Sequence, residues 1–353
     1  MALTGNKYTD FIPQNIAPKG TKQISVYDSN GEYKGRVNLG FLQQPSRSKL
    51  YSFCAISDVH ITSNTSNEDF QRALTFVESS DCLFTCICGD LTQNGNDVQM
   101  AQYKSVVDTY ALTKPVYAMA GNHETIWGYM TSERTQPYTG QPLYYSFEQG
   151  NDVFIMLGHY GAYKGDGVGW LSSEFISVEE LQWLYETLEA NRNKRCFIFN
   201  HVYPYEDGVG DANRLYGGNQ WLTTDGSIGQ AFIELLKHYK NTVLFHGHSH
   251  LRFHLQEVDE KANYAEDIGY RSVHIPSLSV PRDMAESGVS YIYAESEGYI
   301  VDVYDNYIIL NGRDFIDNEA DGHILPIATY KIDTRLVNIE ANTFTDSTGT
   351  ITI

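Results

Sequence analysis

The order of apolar runs in this chain predicts an α/β fold. Three observations carry that reading. The runs "LYSFCAIS", "CLFTCIC" and "PVYAMA" have strand length and alternate with two helical patterns, "NEDFQRALTFVESS" and "DVQMAQYKSVVDTYAL", and strand–helix–strand order implies parallel crossovers. The alternation returns further on as "SVEELQWLYETLEANR", "CFIFN", "IGQAFIELLKHY" and "TVLFHG". From residue 268 the chain becomes consecutively β-like, in "YRSVHIPS", "SYIYAES", "GYIVDVY" and "YIILNGRDF", which predicts antiparallel strands added to the parallel core.

Taken in order, residues 1–47 stand apart. Within them "KQISVYDSNGEYKGRVNL" places two strand-like runs around Ser29-Asn30-Gly31, a hairpin signal, and predicts a small accessory β element. Residues 48–318 hold the alternating pattern and are expected to form the main domain. Asn67 is the expected cap of the first helix. "LYYSFEQG" and "NDVFIMLG" flank Gly150-Asn151 and predict a hairpin, and Ser177 with Glu180 makes a capping-box pattern for the helix that follows. Residues 319–353, rich in Thr and Ile, are expected as a C-terminal β appendage.

The bulk properties narrow the function. A hydrophobic fraction of 42% in 353 residues supports a large core. A net charge of −19 repels phosphate backbones, which argues against general nucleic-acid binding, although bound cations would create a local positive site. No stretch approaches the roughly 18 apolar residues of a membrane span, and the first residues carry no basic-then-apolar signal pattern. Five cysteines without regular spacing fit reduced, buried thiols better than a disulfide framework. A soluble, cytoplasmic protein is the expectation.

The chemistry lies where the strands end. Asp58-Val59-His60 follows the first run, Gly89-Asp90 the second and Gly121-Asn122-His123-Glu124 the third. Asn200-His201 and Gly247-His248-Ser249-His250 follow two later ones. In open α/β sheets ligands bind beyond the carboxyl ends of the strands, so these clusters can meet on one edge. Two aspartates, one asparagine and four histidines offer oxygen and nitrogen donors without thiolate, a set suited to Mn, Fe, Zn or Co. Seven donors are too many for one ion with positions left for water, and they fit two ions sharing a carboxylate. The glycines before Asp90, Asn122 and His248 allow tight turns and close backbone approach.

In this order the motifs resemble the signature of the calcineurin-like metallophosphoesterases: Asp-x-His, Gly-Asp, Gly-Asn-His-Asp/Glu, His, and Gly-His-x-His. The resemblance spans roughly residues 50 to 315 and implies a four-layer α/β/β/α sandwich. It implies that Asp58, His60, Asp90 and His250 hold a first metal, and that Asp90 bridges to a second held also by Asn122, His201 and His248. His123 would stand near the leaving oxygen as the acid. The implied reaction is hydrolysis of a phosphodiester or phosphomonoester by a hydroxide bridging the two ions. Two departures bear on the branch. In "GDLTQNG", Gln93 and Asn94 stand where the serine/threonine phosphatases of the superfamily carry Asp and Arg, which disfavours a protein substrate and removes the carboxylate that would orient His123. Gln93 also stands where purple acid phosphatases carry a tyrosine, which disfavours a tyrosinate-ligated ferric site.

Other residues are weighed less heavily. His159 reads as a loop histidine, and His246 as one pointing into the structure. Trp127, Tyr129, Tyr160, Tyr203 and Tyr205 follow motif strands but serve packing as readily as stacking on a substrate. Arg252 and Arg282 read as exposed arginines before phosphate contacts. Glu124 could support the site or simply make a turn. The expected ligand is a small phosphate ester. The alternatives are a non-catalytic metal-binding assembly module, self-associating through its terminal β elements, and a nuclease, which the charge disfavours. The tail "LPIATYKIDT" to "FTDSTGTITI" faintly resembles terminal segments of phage-encoded proteins, which makes virion association a minor expectation.

Overall fold

The computed structural model describes residues 23–27, 33–38, 48–62, 65–127, 132–158, 176–204, 209–210, 226–257, 262–285, 288–291, 295–316 and 323–335. Tyr129, His159, Tyr160, Tyr205 and the tail from 336 onward lie outside them.

Two six-stranded sheets form the centre. The first uses β3 (Tyr51–Ile56), β4 (Cys82–Cys88), β5 (Val116–Met119), β14 (Glu297–Val303), β15 (Tyr307–Asp314) and β16 (His323–Asp333), in the order β16-β15-β14-β3-β4-β5. Its parallel half is β3-β4-β5, with α1 (Thr65–Ser79) and α2 (Asp97–Tyr110) as crossovers. The second uses β6 (Tyr145–Gln149), β7 (Asp152–Met156), β8 (Arg195–Phe199), β9 (Thr242–His246), β10 (Tyr264–Ala265) and β11 (Ser272–His274), in the order β10-β11-β9-β8-β7-β6. Here α4 (Val178–Ala190) and α5 (Gly226–His238) are the crossovers between parallel strands. A short α3 (Ser132–Thr139) follows β5.

Side-chain alternation assembles the layers. In β3, β7, β8 and β9 one parity, with Phe53, Phe154, Phe197, Phe199 and Phe245, meets between the two sheets. The other parity faces outward. Cys54, Ile56 and Ile87 pack against Phe70, Leu74, Met100 and Tyr103 of α1 and α2. Ile155, Ile198 and Leu244 pack against Leu184, Leu188, Phe232 and Leu236 of α4 and α5. Three apolar interfaces make four layers, α/β/β/α. They also explain why these strands are continuously apolar in sequence: both faces are buried.

Several local expectations change. α1 begins at Thr65, so Asn67 sits within its first turn and does not cap it. Ser177 does cap α4, accepting from the Glu180 N–H at 3.0 Å. β11 runs parallel to β9 and antiparallel to β10, so the segment from residue 250 does not continue as consecutive antiparallel strands. The start of "SYIYAES" lies in β13 (Gly288–Tyr291), paired antiparallel with β12 (Arg282–Ala285), its residues 292–294 lie outside the described ones, and β14 and β15 are antiparallel as expected. The hairpin β1 (Gln23–Tyr27) and β2 (Tyr33–Asn38) forms its own two-stranded sheet. Of the appendage expected from 319, the described part includes β16, which hydrogen-bonds to β15 as an edge strand of the first sheet and buries Ala328, Tyr330 and Ile332 in the core.

Candidate metal centre

Five loops leave the carboxyl ends of β3, β4, β5, β8 and β9 and converge. Their backbones are strained in a consistent way. The non-glycine residues with positive φ among those described are Asp58, His60, Asp90, His248 and His250, at +48° to +70°. Left-handed backbone is costly for such residues and persists where the surroundings over-determine it. All five belong to the constellation read from the sequence.

The glycines are required by contact. A Cβ on Gly89, itself at φ +84°, would lie 2.5 Å from His201 Nδ1. One on Gly247 would lie 2.6 Å from Asp58 Oδ2, and one on Gly121 would collide with the Asp90 carboxylate.

Each aspartate has one oxygen pinned and the other left facing the cluster. Asp58 Oδ2 accepts from Ser57 Oγ at 2.7 Å and from the His248 N–H at 3.0 Å. Asp90 Oδ1 accepts from the His123 N–H at 2.9 Å. Asp58 Oδ1 and Asp90 Oδ2 are buried without a hydrogen bond of proper geometry, a costly arrangement unless something else meets them. Imidazole nitrogens gather around these two oxygens. His250 Nε2 is 3.0 Å from Asp58 Oδ1 and 3.0 Å from His60 Nε2. His201 Nε2 is 3.1 Å from Asp90 Oδ2 and 3.1 Å from Asn122 Oδ1.

The far side of two rings fixes their tautomers. His201 Nδ1 donates to the Cys88 carbonyl at 2.7 Å, and His250 Nδ1 to the Val280 carbonyl at 3.1 Å. Each Nε2 is then left with a lone pair pointing inward, the arrangement of a metal-bound histidine. Asp58, His60, Asp90 and His250 bring one donor atom each within 4.8 Å of one another, and Asp90, His201 and His248 do the same. Asp90 belongs to both groups. The donor set therefore fits two cations sharing one carboxylate.

Charge follows from the crowding. Burial alone would raise the Asp58 carboxyl, but His250 and His201 hold it well below its ordinary value. Burial opposes Asp90 ionisation in the same way, and His201 and His123 outweigh it. Burial lowers the His201 imidazole, yet Asp90 and Asp58 prevail and raise it to about 9. His250 goes the other way, to about 4, because burial outweighs Asp58.

His123 opens a π-helical turn, His123–Trp127, a type of irregularity frequent at functional sites. Its side chain is 20% exposed, whereas the aspartates beside it are buried. Nδ1 bonds to the Gln93 carbonyl and Nε2 stands 3.8 Å from Asp90 Oδ2. The carboxylate absent at position 93 is thus replaced by that residue's own backbone oxygen. Glu124, ambiguous in sequence, is fully buried and holds two of the loops together.

Other residues have their own places. His246 is buried on the helix-facing side of β9, its ring 5.6 Å from that of His274. Tyr203 is buried, with its ring 6.3 Å from His248. Arg252 is taken up by Asp283 at 2.8 Å and by Glu295. Arg282 donates its backbone N–H to the His250 carbonyl at 2.7 Å. Sequence reasoning missed Ser57, Ser277 and Ser279. Ser277 Oγ bonds the Asp58 carbonyl at 2.9 Å and Ser279 Oγ the Val59 carbonyl at 2.7 Å. All five cysteines are buried and free, with their thiols pushed up by burial.

These features define a dinuclear Asp/His metal-binding cluster on an α/β/β/α sandwich. The family model described as calcineurin-like phosphoesterase matches residues 51–252, and the chain belongs to that family. Solved structures share the fold at low identity. A dimetal phosphatase from Danio rerio is 14% identical, with a TM-score of 0.59 over 81% of this chain and 100% of that one. A purple acid phosphatase from yellow lupin (Lupinus luteus) seeds is 12% identical, with a TM-score of 0.53 over 88% of this chain and 59% of that one. GAP50, described as the anchor in the inner membrane complex of Plasmodium, is 12% identical, with a TM-score of 0.52 over 86% of this chain and 99% of that one. No curated protein matches the chain. Among the described residues no helix is long and apolar enough to cross a membrane.

Proposed function

We propose that the protein is a metal-dependent phosphoric ester hydrolase acting on small phosphodiesters or phosphomonoesters. The observation that carries this is the pair of buried carboxylate oxygens, Asp58 Oδ1 and Asp90 Oδ2, left unmatched within two donor groups that share Asp90. Asp58, His60 and His250 serve the first ion, Asn122, His201 and His248 the second, and Asp90 both. Two transition-metal ions so bound, Mn, Fe or Zn by the donor chemistry, supply charge neutralisation and an activated water.

The chain's own residues do the rest. The carbonyls of Cys88 and Val280 keep His201 and His250 in the ligating tautomer. The Gln93 carbonyl accepts from His123 Nδ1–H and so holds the ring, and it is the imidazolium, protonated at both nitrogens, that has an Nε2 proton to give to the departing ester oxygen. With a net charge of −19 on the chain, a small ester suits the site better than a polyanion.

The test is turnover of bis-p-nitrophenyl phosphate and p-nitrophenyl phosphate with added Mn²⁺, by wild type and His123→Ala. Metal-dependent turnover by the wild type is expected, and His123→Ala should lose roughly 10²- to 10⁴-fold on an alkyl ester run alongside, whose leaving oxygen needs the proton, and less on the p-nitrophenyl esters. Two ions bound per chain with neither ester hydrolysed would sink the reading.

A further inference from the structure

Glu124 carries more hydrogen bonds than a turn needs. Oε2 accepts from the Leu91 N–H at 3.2 Å and the Gly121 N–H at 3.0 Å. Oε1 accepts from the Thr92 N–H at 2.8 Å and from Thr92 Oγ1 at 2.9 Å. One buried carboxylate thus joins the two residues after Asp90 to the residue before Asn122. Thr92 extends the arrangement. Its Oγ1 accepts from the Gly95 N–H at 2.9 Å, closing the turn that contains Gln93. The Gln93 N–H donates to the Ile61 carbonyl at 3.1 Å, so that turn is held from a third loop as well. The Gln93 carbonyl in turn holds His123 Nδ1.

We propose that Glu124 and Thr92 form a positioning hub that sets His123, through the Gln93 carbonyl, and the spacing of Asp90 from Asn122. For what His123 does, this rests on the hydrolase reading above; for the metal ligands it does not. The hub explains how His123 is oriented without a carboxylate at position 93: the orienting oxygen is a backbone atom, and backbone atoms are placed by whatever fixes their turn. It also explains why a carboxylate is needed at 124. Four donors converge on two oxygens, and an amide would turn an NH₂ group toward N–H donors.

The hub's side-chain bonds run to Leu91, Thr92, Gly95 and Gly121, which flank Asp90 and Asn122, while its ties to the His60 loop are backbone bonds with Ile61; both flanked residues belong to the second donor group, and Asp90 alone to the first. Its loss should therefore act unevenly, which a general loss of stability would not do.

The experiment compares wild type, Thr92→Val, Thr92→Ser, Glu124→Gln and His123→Ala, each loaded with Mn²⁺. Thr92→Val keeps the backbone bond to Glu124 and removes only the hydroxyl, so it tests the hub where Glu124→Gln fails to fold. Calorimetric titration reads the two metal affinities, and turnover is read on p-nitrophenyl and alkyl esters of one class. Thr92→Val is expected to weaken the second ion about tenfold and the first, which shares only Asp90 with the hub, by less. It should also lower alkyl-ester turnover about tenfold more than p-nitrophenyl turnover, because only the poor leaving group needs the histidine proton. His123→Ala should show the same leaving-group bias, and Thr92→Ser should restore wild-type behaviour. Equal loss on both esters with both affinities unchanged, or no loss at all, overturns the hub. A wild type that binds two ions and hydrolyses neither ester overturns the hydrolase reading instead, and the metal affinities alone then decide the hub.

Discussion

The same two sheets bury charge at both ends, and the two clusters are built on opposite rules. At the amino ends of β7 and β8, Asp152 and Arg195 are register partners. Arg195 Nε and Nη2 donate to Asp152 at 3.0 and 2.6 Å, and Nη1 donates to the Tyr304 carbonyl at 2.8 Å and to Thr334 Oγ1 at 2.9 Å. Tyr51 Oη adds a 2.5 Å bond to the same carboxylate. Neither charged side chain keeps an unpaired buried atom. At the carboxyl ends two carboxylates face four histidines on strained backbone, and an oxygen of each aspartate is left unmatched. The first cluster is complete in protein atoms and fastens the sheets together. The second is completed only by cations. Burial and charge alone do not separate these two clusters; whether their carboxylate oxygens are met by protein atoms does.

The largest expected effect comes from the shared carboxylate. Asp90→Asn keeps the shape and the Oδ1 bond to the His123 N–H but removes the charge between the two donor groups. Bound metal should fall below two ions per chain by elemental analysis. Metal-dependent ester turnover should fall about 10³-fold or more, since bound cations supply several kcal/mol. Unchanged stoichiometry would mean that Asp90 bridges nothing.

At the other end the expected loss is of stability, not turnover. Arg195→Met leaves Asp152 charged and buried, which should cost about 3–5 kcal/mol in denaturant unfolding. Turnover per folded molecule should stay at the wild-type level. Adding Asp152→Asn should recover part of the loss, because the uncompensated charge is then gone.

The third expectation turns on pH. In the metal-free protein His201 is raised from 6.5 to about 9, with burial opposing and Asp90 and Asp58 prevailing. A raised base contributes stability that is fully present below its unfolded value and lost as pH rises through the folded one. Metal-free protein should therefore lose melting temperature between about pH 6.5 and 9. Metal-loaded protein, in which His201 is already a neutral ligand, should not lose it for this reason. Asp58, held low, acts in the opposite sense: its contribution is present above about 3.8 and lost as pH falls below that. Scanning calorimetry with and without chelator checks both limbs, and parallel curves would remove His201 from the metal ligands.

The ease with which each part was read from sequence follows the length scale of the forces involved. Asp58, Asp90, Asn122, His201 and His248 stood out because each polar residue ends a run of buried apolar ones, and parallel topology then carries strand ends to one edge. The four layers were legible for the same reason, since doubly buried strands such as Cys82–Cys88 read as continuous apolar runs. Glu124, Ser57, Ser277 and the Gln93 carbonyl were not legible. Their roles are hydrogen bonds to loops 30 to 220 residues away, among them Ser279 to Val59 and Gln93 to His123. The direction of β11 was lost because three residues, Ser272–His274, carry no periodicity that separates parallel from antiparallel.

The smallest expected effect probes how far the comparison reaches past the ligands. Ser57 Oγ lies 2.7 Å from Asp58 Oδ2 and 2.9 Å from the Cys88 carbonyl, so it faces the pinned oxygen of one candidate ligand and the carbonyl that orients His201. Its single proton serves one of them at a time. In Ser57→Ala the His248 N–H still holds Asp58 Oδ2, and the cavity left is one hydroxyl wide. The metal affinities should weaken by about tenfold, the lower end of what a partner of a ligand contributes, and thermal stability should change by less than about 1 kcal/mol. A drop in stability as large as that of Arg195→Met would place Ser57 with the structural cluster instead, and the division between the two ends of the sandwich would then not run along satisfied and unsatisfied atoms.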